Sequence, residues 1–269
     1  MKITECACKS AIVKSKIYGV DYAINPYTGC EHACVYCYAT FMKKYTNHIE
    51  PWGEFADVKI NAPGVLEKQL RKITEGSVLL SSVTDPYQPV EKKYEITRKC
   101  LLALSKSRLD VSILTKSSLV LRDIDVLAGM NASVGFTITT LNEDVRKKFE
   151  PMASPVNERL DAIKKLSENG VQTWVLFGPI LPFFSDGKNE INDIFSACKD
   201  AGVSYMVVDK LNPYPSVRKE VRKLLAKKYP KLIKGYEEIA RNETRYNSTL
   251  GSRIKEAADK HGIITEKCF

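Results

Sequence analysis

Hydrophobic positions follow two different spacings between about residue 20 and residue 210. Short apolar runs, which are typical of buried strands, occur at 22–24, 77–81, 111–115, 133–139, 171–180 and 204–209. Between the runs, apolar residues recur every three or four positions, which predicts helices at 64–74, 95–107, 118–128, 156–169 and 191–201. Such alternation indicates parallel strands joined by crossover helices.

This order predicts an α/β fold, a partial (β/α)6 TIM-type barrel of parallel strands with a helical C-terminal extension. Six βα units are too few for a complete eight-stranded barrel, which typically needs about 250 residues. The glycine-rich turn G-x-G-x-x-G is missing from the sequence, which argues against a dinucleotide-binding sheet. We expect an N-terminal segment at 1–19, the partial barrel at 20–215 and a basic helical extension at 216–269. Residues 39–62 are expected to form a long excursion.

Composition is that of an ordinary globular protein. The 269 residues are 44% hydrophobic and 27% charged. The amino terminus lacks the apolar core of a secretory signal, and the most apolar stretch, 174–184, is interrupted and too short to span a bilayer. We therefore expect a cytoplasmic protein with no membrane partner. In a reducing compartment, its eight cysteines are expected to be metal ligands or buried thiols.

The net charge of +9 lies mainly near the carboxyl terminus. Residues 216–269 contain 14 Lys/Arg and 7 Asp/Glu, a difference of +7. A basic helical extension attracts polyanions such as nucleic acid. The alternative is a solvated, lysine-rich helix surface. Nucleic acid is thus one candidate partner.

Three cysteines, Cys30, Cys34 and Cys37, occur in the order C-x3-C-x2-C. Three thiolates from one tight loop can bind three irons of a [4Fe–4S] cluster and leave the fourth iron open. A cysteine zinc site usually has four donors, often as paired C-x2-C arms. The sequence has no second C-x2-C pair, so zinc is the weaker alternative.

Three further cysteines, Cys6, Cys8 and Cys268, lie close to the chain ends. Chain termini often lie near each other in a domain. These thiols could therefore form a second metal site. The alternative is that they are isolated buried or free thiols.

Polar residues follow the six predicted strands at their carboxyl ends, where reactive groups collect in parallel α/β folds. They are Ser81, Ser82, Thr84, Asp85, Tyr87, Gln88, Lys116, Ser117, Thr139, Thr140, Asp209, Lys210 and Asn212, together with the backbone at Gly178-Pro179. Their arrangement around the cysteine loop indicates a site. The alternatives are a simple turn at Thr84-Asp85-Pro86, a surface cation at Lys116 and a loop-filling role for His32.

Five motifs resemble one protein family. They are N-P-Y-x-G-C-E-H-x-C-x-Y-C-Y at 25–38, S-V-T-D-P-Y-Q-P at 82–89, T-R-x-C-L at 97–101, T-K-S-S-L-V-L-R-D at 115–123 and E-P-x(7)-R-L at 150–160. The chain resembles the radical SAM superfamily, in particular the spore photoproduct lyase-related subgroup that is often labelled DNA repair photolyase-like. The resemblance extends from about residue 15 to residue 215.

The resemblance implies that Cys30, Cys34 and Cys37 bind a [4Fe–4S] cluster whose open iron takes S-adenosylmethionine (SAM). It implies that Lys116 pairs with the SAM carboxylate. The other cofactor-binding residues that it implies are Tyr36, Ser82, Thr84, Asp85 and Gly178. The strand-end positions add Ser117 and Thr139 as cofactor-binding candidates. An external one-electron reductant of the flavodoxin or ferredoxin type would start reductive SAM cleavage to a 5′-deoxyadenosyl radical, which abstracts hydrogen from a substrate.

One position departs from the family pattern. Spore photoproduct lyase has a hydrogen-donating cysteine just ahead of the Ser/Thr-Asp turn, where this chain has Ser82. A serine O–H bond is too strong for that role, so we expect a different final hydrogen donor, with Tyr87 as the catalytic candidate. Two alternative functions are modification of a peptide or protein, and a non-catalytic metal-binding scaffold that docks on nucleic acid.

Overall fold

A computed structural model describes residues 1–212 and 214–269 of the chain. Its centre is an eight-stranded sheet with the order β11-β10-β9-β8-β7-β6-β3-β2. A separate sheet has the order β1-β5-β4. The strands are β1 (Lys2–Cys6), β2 (Ile12–Lys14), β3 (Tyr22–Ile24), β4 (Tyr27–Gly29), β5 (Phe55–Lys59), β6 (Ser77–Leu80), β7 (Asp110–Thr115), β8 (Ala132–Thr137), β9 (Gln172–Ile180), β10 (Tyr205–Lys210) and β11 (Ile264–Lys267).

Helices connect the parallel strands and form the C-terminal part of the chain. The α-helices are α1 (Ala62–Leu70), α2 (Glu91–Tyr94), α3 (Ile96–Leu104), α4 (Ile124–Leu127), α5 (Glu143–Phe149), α6 (Val156–Glu168), α7 (Lys188–Asp200), α8 (Pro215–Lys228), α9 (Ile233–Arg241) and α10 (Glu243–His261). Three 3-10 helices occur at Tyr38–Tyr45, Ser118–Asp123 and Pro230–Leu232.

The six predicted strands form the central parallel array in chain order, β3-β6-β7-β8-β9-β10. This arrangement confirms the α/β fold with a partial TIM-type barrel. The register places the carboxyl ends of the strands at one edge of the sheet, where Ile24 pairs with Leu80, Leu80 with Ile113, and Thr115 with Phe136. The loops that follow these strands therefore lie together.

Several elements were not predicted. Strand β1, in the N-terminal segment, pairs in parallel with β5, which lies in the supposed excursion at 39–62. The C-terminal extension is not helical throughout, because β11 pairs in parallel with β10 and extends the central sheet. Helix α5 was also missed, although Asn142 caps it by accepting hydrogen bonds from the Asp144 and Val145 amides at 3.0 and 3.1 Å.

Helix α8 packs on the rest of the molecule through a small apolar cluster of its own. Val217, Val221 and Leu225 of this helix are buried together with Tyr36 of the cysteine loop and Phe149 of α5. Burial of these side chains ties the C-terminal extension to the loop that carries the three cysteines. In the described part of the chain, none of the helices has the length and apolar character needed to cross a membrane.

Candidate functional site

The loops at the carboxyl ends of the parallel strands enclose a pocket. It is lined by the three motif cysteines and by residues at or near the carboxyl ends of the central strands, including Ser82, Thr84, Asp85, Lys116, Gly178, Asp209, Lys210 and Asn212; β8 contributes its last residue, Thr137. The pocket therefore lies at the strand ends, where reactive groups collect in parallel α/β folds.

Gly29 sets the geometry of the cysteine loop at its start. Its φ of +85° lies in the left-handed region, and a Cβ there would come within 2.5 Å of the Phe55 carbonyl oxygen. Glycine avoids both the conformational cost and this clash. The chain can therefore turn directly from β4 into Cys30.

The first two motifs hold each other in place. The Thr84 hydroxyl and the Gln88 side-chain amide donate to the Gly29 carbonyl oxygen at 2.5 and 3.3 Å. The Glu31 amide donates to Gln88 Oε1 at 2.9 Å. The Ser82 and Val83 amides donate to Asn25 Oδ1 at 3.0 and 3.1 Å. These contacts fix the cysteine loop against the turn at 82–89.

Asp85 positions Lys116 within the pocket. Its carboxylate accepts hydrogen bonds from the Thr115 hydroxyl at 2.7 Å and from the Lys116 amide at 2.9 Å. The Lys116 ammonium lies 5.8 Å from the centroid of the Tyr36 ring. Burial disfavours the lysine charge, but Cys34, Glu150 and Asp85 outweigh it and raise the pKa of Lys116. This cation can bind a carboxylate.

A buried ion pair supports the pocket from behind. Arg159 Nη2 lies 2.5 Å from Glu150 Oε2, and both side chains are fully buried. The Tyr36 hydroxyl donates to Glu150, and the Thr139 hydroxyl donates to the same carboxylate at 3.1 Å. Burial opposes the negative charge, but Arg159 and Lys116 hold the pKa of Glu150 below its usual value. The Glu150–Arg159 pair fixes Tyr36 behind the cysteines.

The three thiols are shielded from water. Burial raises the pKa of Cys30 well above its ordinary value and that of Cys34 to about 12. Burial also raises the pKa of Cys37, although nearby backbone amides, Lys116 and the Trp52 indole partly counteract this rise. Thiols of this kind lose their protons when they bind metal.

Unpartnered polar atoms concentrate in the pocket. Across residues 1–212 and 214–269, seven buried side-chain nitrogen or oxygen atoms have no hydrogen-bond partner. Five of them belong to His32, Trp52, Ser81 and Thr137, all of which line this pocket. Buried polar groups normally find partners, so such a concentration is typical of a site that binds a polar ligand. The pocket therefore fits a sulfur-ligated cluster with a polar cofactor beside it.

The cysteine arrangement also bears on the zinc alternative. Within the described residues, no three His, Cys, Asp or Glu side chains are grouped as the ligands of one metal ion. A [4Fe–4S] cluster instead takes each cysteine on a separate iron.

Five of the predicted strand-end residues do not line the pocket: Tyr87, Gln88, Ser117, Thr139 and Thr140. Ser117 caps the 3-10 helix at Ser118–Asp123, where its hydroxyl accepts a hydrogen bond from the Leu119 amide. Thr139 is buried against Glu150. Tyr87 is fully buried, and its hydroxyl donates to Asp123 at 3.1 Å. Tyr87 therefore faces the core and not the cysteines.

The cysteines near the chain ends are not brought together. Cys6 ends β1 in the small sheet, and the Cys8 amide donates to Asn61 at 2.8 Å. Cys268 follows β11 at an edge of the central sheet, where its amide donates to the Val208 carbonyl oxygen. Burial, Asp57 and, to a smaller extent, the nearby Cys8 raise the pKa of Cys6, whereas Cys268 has Asp209 and Glu266 as its charged neighbours.

Sequence reasoning missed several pocket residues. His32 does not fill the loop surface, because it is only 1% exposed. Trp52 comes from the supposed excursion, and Gly53 beside it has a φ of +97° and contacts Ala33 of the cysteine loop. Thr137 is the last residue of β8, two positions before the predicted strand end, and its signal was a polar residue within an apolar run.

A comparison with protein-family models shows which family the chain belongs to. The model of the radical SAM superfamily matches residues 24–198, which include the cysteine loop and four of the six central strands in full, β6 to β9. The chain belongs to the radical SAM superfamily. It is therefore an enzyme, and the non-catalytic scaffold hypothesis is set aside. Radical SAM enzymes use a [4Fe–4S] cluster and SAM, so these are its cofactors.

Curated relatives extend over most of the chain. An uncharacterised protein of Methanocaldococcus jannaschii is 40% identical over 187 residues, which are 69% of this chain and 70% of the relative. An uncharacterised protein of Mycobacterium bovis is 29% identical over 96% of this chain and 81% of its own length. A radical SAM Nα-GlyT isomerase of Pseudomonas phage M6 is 24% identical over 68% of this chain and 38% of that enzyme.

Solved structures share the fold. Spore photoproduct lyase complexed with dinucleoside spore photoproduct superposes with a TM-score of 0.72 at 15% identity, covering 99% of this chain and 82% of the lyase. Streptococcus suis SuiB bound to precursor peptide SuiA gives a TM-score of 0.52 at 15% identity and covers 82% and 46% of the two chains. At these identities, the likeness establishes the radical SAM partial-barrel fold alone.

Proposed function

We propose that this radical SAM enzyme abstracts hydrogen from a nucleic-acid substrate. The observation that carries its chemistry is the convergence of three shielded thiols, the Lys116 ammonium and five unpartnered polar atoms on one pocket. When bound there, a reduced [4Fe–4S] cluster supplies the electron that cleaves SAM and yields a 5′-deoxyadenosyl radical. An external one-electron reductant of the flavodoxin or ferredoxin type would supply that electron.

The protein's own residues hold and orient the cofactors. Cys30, Cys34 and Cys37 would hold the cluster, and Lys116 would pair with the SAM carboxylate. Both carboxylate oxygens of Asp85 accept hydrogen bonds from the segment at 115–116, so its role would be to position Lys116. Ser82 accepts a hydrogen bond from Asn25 Nδ2 at 3.1 Å, and its hydroxyl proton remains available to SAM.

A second cavity adjoins the cofactor pocket and supports the choice of nucleic acid. Lys210 and Asn212 line both spaces, and Arg218 and Arg222 of α8 line the second one. Its volume is about 300 Å³, at the lower end of the range for small-molecule pockets. Glu237 and Glu243 also line this cavity, where Glu237 pairs with Arg222 at 3.3 Å and Glu243 pairs with Lys210. Arg218 has no salt bridge among the described residues, and guanidinium groups bind phosphate well, so Arg218 suits a nucleotide whose reacting part extends toward the cofactors.

The chemistry differs from that of spore photoproduct lyase at the hydrogen-return step. Ser82 stands where the lyase has its cysteine, Cys100 is fully buried in α3, and Tyr87 faces Asp123. Repair of the spore thymine dimer by the lyase route is therefore not proposed.

Salt-dependent binding tests the nucleic-acid assignment. We expect the anaerobically reconstituted enzyme to bind a labelled DNA or RNA oligonucleotide with an affinity that falls with salt, because phosphate contacts release counterions. Arg218→Ala/Arg222→Ala should make the slope of log K against log[salt] shallower by about 1 to 2. Lys164→Ala/Lys165→Ala, on the exposed face of α6, is the matched control. Salt-independent binding, or equal slopes in both variants, would contradict the assignment.

A peptide substrate is the second candidate, because much of the second cavity is aliphatic. Val221, Leu225, Ile233 and Ile239 contribute to its wall. The SuiB structure bound to a precursor peptide shares the fold. Formation of 5′-deoxyadenosine from SAM and dithionite, stimulated by a peptide library but not by oligonucleotides, would favour this candidate.

A further inference from the structure

A groove runs along the outside of the cysteine loop. One wall is formed by Ala33, Cys34 and Val35, and the opposite wall by α8. Trp52 lines this groove and also lines the cofactor pocket. The groove therefore reaches one predicted cluster ligand, Cys34, from the outside of the protein.

Trp52 connects the groove to a second predicted ligand. Its indole nitrogen is buried and lies beside the Cys37 thiol, and both residues line the cofactor pocket. Residues that would contact SAM, such as Ser82, Thr84 and Lys116, do not line the groove. A molecule in the groove would thus come close to the cluster ligands and not to the cofactor's reacting carbon.

The α8 wall carries a row of cations. Lys219, Lys223 and Lys227 are exposed and lie four residues apart, so they occupy successive turns on one helix face. Lys223 pairs with Glu220 at 2.7 Å. Within the described residues, no carboxylate lies within salt-bridge distance of Lys219 or Lys227. The groove therefore presents net positive charge beside the cluster loop.

We propose that this groove is the docking site of the electron donor, an acidic one-electron carrier protein. This inference rests on the proposed radical SAM chemistry. The carrier loses one electron and the cluster gains it, and no bond or proton changes hands. Electron-transfer complexes are small and transient, and complementary charge mainly raises their association rate. A row of lysines beside the cluster ligands matches this requirement.

The position of the lysine row on α8 favours an electron-carrier protein over nucleic acid as the partner that binds there. A substrate must reach the cofactor's reacting carbon, whereas an electron donor needs only to approach the cluster. Arg218 and Arg222 lie on the side of α8 that faces the second cavity, and Lys219, Lys223 and Lys227 lie on the side that faces the cysteine loop. The two cationic faces of α8 are therefore assigned to different partners.

The test compares two reductants on the anaerobically reconstituted enzyme, without SAM or substrate. The visible absorbance of the cluster reports its reduction by a photoreduced acidic flavodoxin or by dithionite. The variant is Lys219→Glu/Lys223→Glu/Lys227→Glu. The control, Lys164→Glu/Lys165→Glu/Lys199→Glu, makes the same charge change at exposed lysines of α6 and α7.

At low ionic strength, we expect the α8 variant to be reduced by flavodoxin at least tenfold more slowly than wild type. Its dithionite rate and iron content should equal those of wild type, and the control should behave as wild type with both reductants. Added salt should slow the reduction of the wild-type cluster by flavodoxin and should have little effect on the reduction of the α8 variant.

Three results would overturn the proposal. They are an unchanged flavodoxin rate in the α8 variant, equal slowing with both reductants, and loss of oligonucleotide binding while the flavodoxin rate is retained. The last result would assign the lysine face to nucleic acid. Cluster reduction is measured without SAM. A failure of SAM cleavage would therefore contradict the proposed function without affecting the measurement that tests the docking site.

Discussion

At the scale of single residues, Lys116 is the clearest link between sequence and chemistry. It follows a buried strand, and Asp85 holds its backbone. Its ammonium faces the pocket, and no carboxylate of the described chain lies within salt-bridge distance of it. A partly buried cation in such a position is stabilised by an anionic ligand. The SAM carboxylate meets that requirement.

Lys116→Met tests this role. The side chain keeps most of its length and loses its charge, so the charge-assisted contact of about 1.5–3 kcal/mol disappears. We expect SAM affinity of the reconstituted enzyme to fall about 10- to 150-fold, measured by equilibrium dialysis. Lys164→Met, on the exposed face of α6, is the control. Unchanged affinity, or loss of iron together with affinity, would contradict a direct role in SAM binding.

Other residue roles could not be predicted from the sequence, because they depend on long-range contacts. Glu150 and Arg159 lie nine positions apart and form a buried ion pair, but only the fold brings Tyr36 to the same carboxylate across 114 sequence positions. Tyr87 has the residue type of a hydrogen donor and follows a strand end, yet its side chain turns into the core toward Asp123. Strand-end position does not decide side-chain direction.

At the scale of elements, the small sheet braces the cysteine loop. Strand β4 leads into Cys30 and pairs with β5, which in turn pairs with β1. His48 clamps this sheet. Its Nδ1 lies 3.0 Å from Glu50, its Nε2 lies 2.8 Å from Asp57 in β5, and its ring stacks on Phe55 at 4.0 Å. Both ring nitrogens face carboxylates, an arrangement that the imidazolium satisfies by donating twice.

This clamp predicts a pH dependence of stability. Desolvation opposes the charge, but Asp57 and Glu50 outweigh it and raise the pKa of His48 above its ordinary value. A raised pKa contributes stability that is complete below the unfolded pKa of about 6.5 and is lost as pH rises through the folded pKa. We expect the melting temperature of wild type, relative to His48→Gln, to fall between about pH 6 and pH 9. A pH-independent difference would show that His48 contributes packing alone.

Strands could be predicted from the sequence only where apolar residues form a continuous local run. The six central strands are apolar runs because helices or loops cover the sheet. Strand β1 is exposed at four of its five residues, and β11 is exposed at three of four, so neither produces such a run. Their strand conformation depends on pairing with β5 and β10, a non-local interaction that periodicity does not report.

At the scale of the whole molecule, the chain ends finish on different sheets. Strand β1 belongs to the small sheet, whereas β11 closes one edge of the central sheet next to β10. The C-terminal extension is therefore not a separate tail, since its last strand continues the sheet of the barrel and α8 packs on the cysteine loop. The domain boundaries at residues 19 and 215 remain predictions made from the sequence.

This topology predicts how much iron the protein binds. Cys6 and Cys8 lie with Asn61, and Cys268 lies beside Val208, so the three thiols do not form one site. We expect anaerobically reconstituted wild type and the Cys6→Ala/Cys8→Ala/Cys268→Ala variant to contain about four irons per chain each, as one [4Fe–4S] cluster requires.

The matched variant, Cys30→Ala/Cys34→Ala/Cys37→Ala, removes the same number of thiols from the pocket and should bind essentially no cluster iron. Iron and zinc counting of the three proteins, with circular dichroism to confirm folding, completes the comparison. A loss of about four irons in the chain-end variant would establish a second cluster at Cys6, Cys8 and Cys268. That result would require the β11 edge to approach the small sheet in the metal-loaded enzyme, since the geometry described here keeps the Cys268 thiol beside Asp209 and Glu266.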